Sequence, residues 1–202
     1  MVWRANSQNP HLPTQPSEIA QDVYDCDNAG VTVVAMHARR QDDGATCDAA
    51  IYRDINGRIR DKCDIVINNS TGGGVHGDMI GEMPNGYWEI LWEERLKGMD
   101  GGAEMCTLDA TTMIATFGGK ELLMHTSPER AKYLAQEMKK RGIKPEWEVF
   151  SPTHIVQDVA PWRQWASTKS LFYQSRARCA PEFPERDALH APRLAVDGRL
   201  AT

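Results

Sequence analysis

Hydrophobic positions follow two alternating patterns along this chain. One is a set of short runs, Thr32–Met36, Asp64–Asn69, Met105–Cys106 and Glu146–Trp147, whose centres are apolar or strand-favouring. The other is helical spacing: Ile19, Val23 and Cys26; then Ile51, Ile55 and Ile59; then Leu134, Ala135 and Met138. Short β-branched runs predict strands, and recurrence every three to four residues predicts helices with one buried face. Local punctuation agrees. Pro16 occupies a first-turn position with Thr14 or Gln15 near the cap, Asp48 is an N-cap, and Ser127 with Pro128 opens a further helix, while Gly30 and Gly142 stop two of them. Asn85-Gly86 marks a turn, Ile90 to Lys97 is helical, and Gly98, Gly101 and Gly102 loosen the way into the third run. Continuous runs, rather than strict alternation, predict a parallel sheet covered on both faces. The fold class is α/β.

Each run delivers a polar residue at its C-terminal end. These are His37, Ser70, Thr107 and Glu148, spaced 33, 37 and 41 positions apart, about one strand–helix unit each. In parallel α/β sheets chemistry gathers at the carboxyl ends of the strands, so the four are expected around a common mouth.

Composition narrows the classes. The chain has 202 residues, 41 % hydrophobic and 25 % charged, enough for one ordinary globular core. A formal charge of −5 gives no basic footprint and argues against a nucleic-acid partner. No apolar run approaches a membrane span, and the polar Met1–Gln15 stretch reads as neither signal nor transit peptide. The five cysteines, at 26, 47, 63, 106 and 179, form no CxxC or zinc-finger spacing and suit a reducing, cytoplasmic setting.

Several residues can carry chemistry. His37, directly after a buried strand, fits a metal ligand, a base or a satisfied core imidazole. Arg39 fits a bidentate carboxylate clamp or a surface ion pair. Ser70-Thr71-Gly72-Gly73-Gly74 is the strongest local signal. Glycines after a strand let backbone N–H groups turn toward a carboxylate or phosphate, and the two hydroxyls add donors; a plain glycine turn is the alternative. No lysine follows, so the loop is not a phosphate-binding Walker motif. Thr107 and Asp109 end the third run. Glu148 lies between Trp147 and Val149, and a buried carboxylate there fits a general base, whereas an outward one would bond a helix. His76, His125 and His154 read as structural.

Taken in order, Leu12–Ala20, Met36–Arg39, Asn69–Gly73, Glu104–Leu108 and Lys144–Phe150 resemble the β-keto acid cleavage enzymes, the 3-keto-5-aminohexanoate cleavage family. The resemblance spans roughly residues 10 to 159. It implies a (β/α)8 barrel, a homo-oligomer, a divalent metal (usually zinc) acting as Lewis acid, and acetyl-CoA as co-substrate. The implied reaction converts a β-keto acid and acetyl-CoA into acetoacetate and a new CoA thioester. It also implies residue roles. His37 matches the second histidine of a metal-binding pair, Ser70 and Thr107 match substrate-contacting hydroxyls, Thr71, Gly72 and Gly73 shape the substrate loop, and Glu148 matches an acidic catalytic residue. Arg39 is assigned with the substrate-binding groups.

The departures carry expectations of their own. Ala35 stands where the first metal-binding histidine belongs. The family's first strand and its late strands have no counterpart, so about four βα units are expected, as a partial barrel over residues 1–159 with an irregular tail over 160–202. Shifting a back-translation of Phe172–Pro192 by one nucleotide permits the string FINLVLGVHRNFQNAMPYTP, which resembles the family's sixth strand. The chain is therefore expected to be a truncated member, with a frame change or a sequence error near residue 159. A half-barrel is expected to expose two strand edges and an apolar inner face. Little or no activity follows for this chain alone. Two other readings are a non-catalytic half-barrel that pairs with itself or with a longer relative, and a barrel enzyme that binds a phosphate in the glycine nest without metal.

Overall fold

The computed structural model describes residues 9–109, 112–117 and 119–150, and the backbone of 172–175. Helix α1 (Pro16–Asn28) leads into strand β1 (Val33–Met36), and α2 (Ala49–Arg60) leads into β2 (Val66–Asn69). A hairpin of β3 (Ile80–Glu82) and β4 (Trp88–Ile90) precedes the short α3 (Trp92–Lys97) and β5 (Met105–Asp109). A second hairpin, β6 (Met113–Phe117) and β7 (Lys120–Met124), is followed by α4 (Pro128–Lys140) and β8 (Lys144–Val149). Strand β9 spans Phe172–Ser175.

The main sheet has the order β1-β2-β5-β8-β9, and every neighbouring pair is parallel. Strands laid side by side in chain order, with helices returning the chain to the same end, form an open arc of a (β/α)8 barrel. The expected partial barrel is present. Strand β9, parallel to β8, falls inside the tail expected to be irregular; the other residues of 151–202, His154 and the shifted-frame segment beyond Ser175 among them, lie outside the described residues.

The start and stop signals in the sequence act as expected. The Asp48 carboxylate accepts from Ala50 N and Ile51 N at 2.8 and 3.0 Å, and Ser127 Oγ accepts from Arg130 N at 3.3 Å. Gln15, rather than Thr14, caps α1, and Glu18 accepts from the N–H groups of Thr14 and Gln15, both at 3.0 Å.

Two apolar clusters lie under one face of the sheet. Ile19 and Val23 of α1 and Ile55 and Ile59 of α2 pack with Ile67 and Met36, and Leu134 and Met138 of α4 pack with Cys106, Leu108 and Trp147. Burying these side chains is the main force holding helices to sheet, and trimming Trp147 to alanine would cost roughly 3–5 kcal/mol.

The opposite face corrects the expectation from sequence. Register aligns Ala35 with Asn68, Thr107 with Glu146 and Asp109 with Glu148. Side chains alternate along a strand, so Asn68, Thr107, Asp109, Glu146 and Glu148 share the face turned away from the helices. That inner face is polar where an apolar one was expected, and these five residues are buried. The apolar character read from the sequence comes from the outward positions Ile67, Cys106, Leu108, Trp147 and Val149, which pack against the helices.

The third unit also differs. Asn85-Gly86 is the turn of a hairpin, and β3, β4, β7 and β6 make a separate four-stranded sheet. Strand β6 is one of its edges and leaves Ile114 65 % exposed.

Candidate functional site

His37 and Ser70 stand just past the carboxyl ends of β1 and β2, Glu148 is the penultimate residue of β8, and Thr107 lies at the middle of β5, which runs on to Asp109; the four strands are consecutive neighbours in one sheet. Tyr52 fixes the first two ends. It is fully buried on α2, and its hydroxyl stands 3.2 Å from Met36 O and 3.1 Å from Ser70 O while accepting from Ala38 N at 3.4 Å. Burial holds its phenol well above the usual pKa, so it remains a neutral donor. Cys47 Sγ donates to the same Ser70 carbonyl at 3.3 Å. The backbone turns the chain sharply behind this point. Gly73 has φ +58°, and a Cβ there would stand 2.7 Å from Met79 Sδ and 2.8 Å from Cys47 Sγ, so only glycine fits.

The loop after β2 is closed on itself. Ser70 Oγ accepts from Gly72 N at 3.1 Å and from Gly73 N at 3.0 Å, and Gly74 N donates to Gly72 O at 2.6 Å. Thr71 N donates to Thr107 Oγ1 at 2.9 Å, and Thr71 Oγ1 donates to Thr107 O at 2.7 Å. The backbone donors of Thr71, Gly72 and Gly73 are thus engaged by Thr107 and Ser70, and that of Gly74 by the carbonyl of Gly72. With both lone pairs of Ser70 Oγ taken, the proton of its hydroxyl is what it can offer a ligand.

Carboxylates flank the loop. Gly72 lies against Asp109, and an added Cβ would stand 3.3 Å from Asp109 Oδ2. Glu148 lies in register beside Asp109 on the next strand, and Glu146, one turn of the pleat earlier, bonds Asn68 Nδ2.

Arg95, on α3, is a site residue that sequence reasoning places only within a helical stretch. It is 1 % exposed, and its guanidinium donates from Nε to Thr71 O at 3.2 Å and from Nη1 to Thr126 Oγ1 at 2.7 Å. Nη2 stands 3.7 Å from Asp109 Oδ2 and donates no hydrogen bond among the described residues. Burial pulls this guanidinium below its usual pKa and Asp109 pulls it back; at neutral pH it is a cation.

His37 and Arg39 sit apart from that cluster, along a cavity of about 290 Å³ between α1 and the end of β1, which Ala35, Gly73, Gly74 and His76 also line. Arg39 Nη1 donates to Asp43 O at 3.2 Å. His76 Nδ1 accepts from Ala45 N at 3.4 Å, and burial, with the Arg39 and Arg40 charges, holds its imidazole below the usual pKa. His125 lies 3.7 Å from Glu89 beside the smaller sheet. Among the described residues no three His, Cys, Asp or Glu side chains gather to hold a metal ion. No described helix is long and apolar enough to cross a membrane.

A sequence profile described as beta-keto acid cleavage enzyme matches residues 2–174. A 3-keto-5-aminohexanoate cleavage enzyme of Fusobacterium nucleatum is 34 % identical over 166 residues, covering 82 % of this chain and 55 % of that protein. A 3-dehydrocarnitine:acetyl-CoA trimethylamine transferase of Rhizobium meliloti is 30 % identical, covering 74 % of this chain and 52 % of that protein. The chain thus spans about half the length of these curated relatives. A solved binary complex of ObcA with oxaloacetate shares the fold with a TM-score of 0.61 and 19 % identity, covering 81 % of this chain and 37 % of that one.

Proposed function

Because this chain belongs to the β-keto acid cleavage enzymes, we propose that its polar sheet face supplies the keto-acid-binding part of a site where a β-keto acid exchanges its acyl group with acetyl-CoA. The observation that carries this reading is the Ser70 turn closed against Thr107 and set beside Asp109 and Glu148. The names of relatives that act on a keto acid or on acetyl-CoA support it.

A base removes a proton from the carbon between the keto and carboxyl groups. The carbanion attacks the acetyl carbonyl and CoA thiolate leaves. The thiolate then adds to the original keto carbon, the C–C bond to the former substrate carbon breaks, and acetoacetate enolate departs and regains the proton. Glu148 is the proposed base and later acid. Ser70 donates its hydroxyl proton to the substrate carboxylate, Thr107 and Thr71 hold the loop, Gly72 and Gly73 allow close approach, and Arg39 at the neighbouring cavity attracts the anion. His37 is retained as the metal-ligand candidate, and no step is routed through a metal. Turnover by this chain alone is expected to be slight or nil.

Calorimetric titration of the purified chain with acetoacetate tests the binding reading. Saturable binding, weakened roughly tenfold or more in Ser70→Ala, is expected for loss of one hydrogen bond to a charged group. Absence of binding would remove the reading. Mass spectrometry for a new CoA thioester, with acetyl-CoA and several β-keto acids, tests turnover, and rates that Glu148→Gln leaves unchanged would discard Glu148 as the base.

A second reading, a non-catalytic arc that associates with its own kind, is favoured by β6. This edge strand has no charged residue to discourage pairing, and Ile114 is 65 % exposed on it. Light scattering that reports a dimer, returned to monomer mass by Ile114→Lys, would support it; a monomer at all concentrations would end it.

A further inference from the structure

Arg95 is the single fully buried basic side chain among the described residues. Taking a guanidinium out of water is strongly unfavourable even after relaxation, and an apolar residue of similar shape often serves stability as well or better. Arginines kept purely to fill and brace a core have their donors used. Here one nitrogen, Nη2, is buried with no hydrogen bond among the described residues and faces Asp109 at a distance longer than a hydrogen bond. The contacts of the guanidinium are not clustered on one element. They reach the carbonyl of Thr71 in the loop after β2, the hydroxyl of Thr126 before α4, and the carboxylate of Asp109 at the end of β5. The side chain also passes over the Trp92 ring, with 5.6 Å from Cζ to the ring centroid.

These contacts meet where the Ser70 turn is built. Thr71 is held on one side by Thr107 and on the other by Arg95, and Asp109, drawn toward Arg95, is the group against which Gly72 rests. The charge matters as well as the shape. An anionic keto acid entering beside Asp109 and Glu148 meets two carboxylates, and Arg95 is the buried cation that offsets them.

We infer that Arg95 is a positioning residue: its guanidinium ties the glycine loop to the ends of two other segments and so holds Ser70 ready to receive the substrate carboxylate. This rests on the site proposed above. Arg95 acts through Thr71 and Asp109 and has no contact with substrate of its own.

The test uses the intact chain and two readouts. The first is amide hydrogen exchange in the free protein, which needs no ligand. In Arg95→Met, exchange over residues 70–74 is expected to speed up at least about tenfold, with residues 19–26 of α1 unchanged; Arg95→Lys, which keeps the charge and loses the fork, is expected to fall between. Loop exchange that stays the same, or exchange that rises equally throughout the chain, would overturn the inference. The second readout is acetoacetate binding by calorimetry, expected to weaken about tenfold or more in Arg95→Met and to return in part in Arg95→Lys. Equal binding by all three proteins would overturn the inference too. If the unsubstituted chain binds no acetoacetate, the proposed function fails and the exchange data decide the role of Arg95. If Arg95→Met does not fold, Arg95→Lys alone decides by the same criteria.

Discussion

Thr71 and Thr107 hold each other by a reciprocal pair of hydrogen bonds, Thr71 N to Thr107 Oγ1 at 2.9 Å and Thr71 Oγ1 to Thr107 O at 2.7 Å. Both residues are buried, so neither bond can be replaced by water. Thr107→Val keeps the shape and leaves the Thr71 N–H without its acceptor. A loss of about 1–3 kcal/mol in urea unfolding is expected, with a smaller loss in Thr107→Ser. Equal stability of the valine variant would show that the loop finds another acceptor.

Tyr52 and Gly101 form a second point of close approach. A Cβ at Gly101 would lie 2.5 Å from Tyr52 Cβ and 2.6 Å from Asn69 Nδ2, so Gly101→Ala must push α2 away from the end of β2. The expected cost is about 1–3 kcal/mol from overpacking. Tyr52→Phe removes only the hydroxyl that serves Met36, Ala38 and Ser70 and is expected to cost about 1 kcal/mol. Chemical denaturation of both variants checks the order.

Acid affects the start of α1. The N–H groups of Thr14 and Gln15 bond the Glu18 carboxylate and lower its pKa below the usual 4.5. The folded state therefore holds this proton less tightly than the unfolded chain. Its stabilising effect is complete above pH 4.5 and fades as pH falls from there through the folded-state value. The difference in melting temperature between the unsubstituted protein and Glu18→Gln is expected to shrink between pH 5 and pH 3. A difference that is flat over that range would contradict the assignment.

Burial pushes the Cys47 and Cys106 thiols up to about 12. At pH 8 the thiolate fraction is then on the order of one in ten thousand, and neither thiol is reachable. Titration with an aromatic disulfide reagent should modify the partly exposed Cys26 and Cys63 first and reach Cys47 and Cys106 only with unfolding. Rapid labelling of Cys47 in the native protein would mean that the loop beneath Ser70 opens.

The strands and helices of the main sheet are legible in the sequence because their signals are local. Ser127 with Pro128, Asp48, and the Ile55–Ile59 stripe each need only a few neighbouring residues. The polar inner face is harder to see. Asn68, Thr107 and Glu146 are polar positions on strands whose other faces are apolar, and their common direction appears only once register is known. The small sheet escapes sequence reasoning because Ile80–Glu82 and Trp88–Ile90 are three-residue strands around the Asn85-Gly86 turn, too short to show alternation. Arg95 escapes it for a different reason. Its partners Asp109 and Thr126 lie 14 and 31 residues away, and nothing near Trp92-Glu93-Glu94 distinguishes it from a solvated helical arginine. Sequence suggests a glycine loop with its N–H groups facing a ligand; a serine two and three residues before those groups is the local clue that it takes them instead.

Ser70 receives two amide hydrogens on one oxygen. An oxygen so occupied has no electron pair left for attack on a carbonyl carbon. Ser70 is thereby a poor nucleophile in this arrangement, and its hydroxyl proton is the part of the side chain left to face a neighbour.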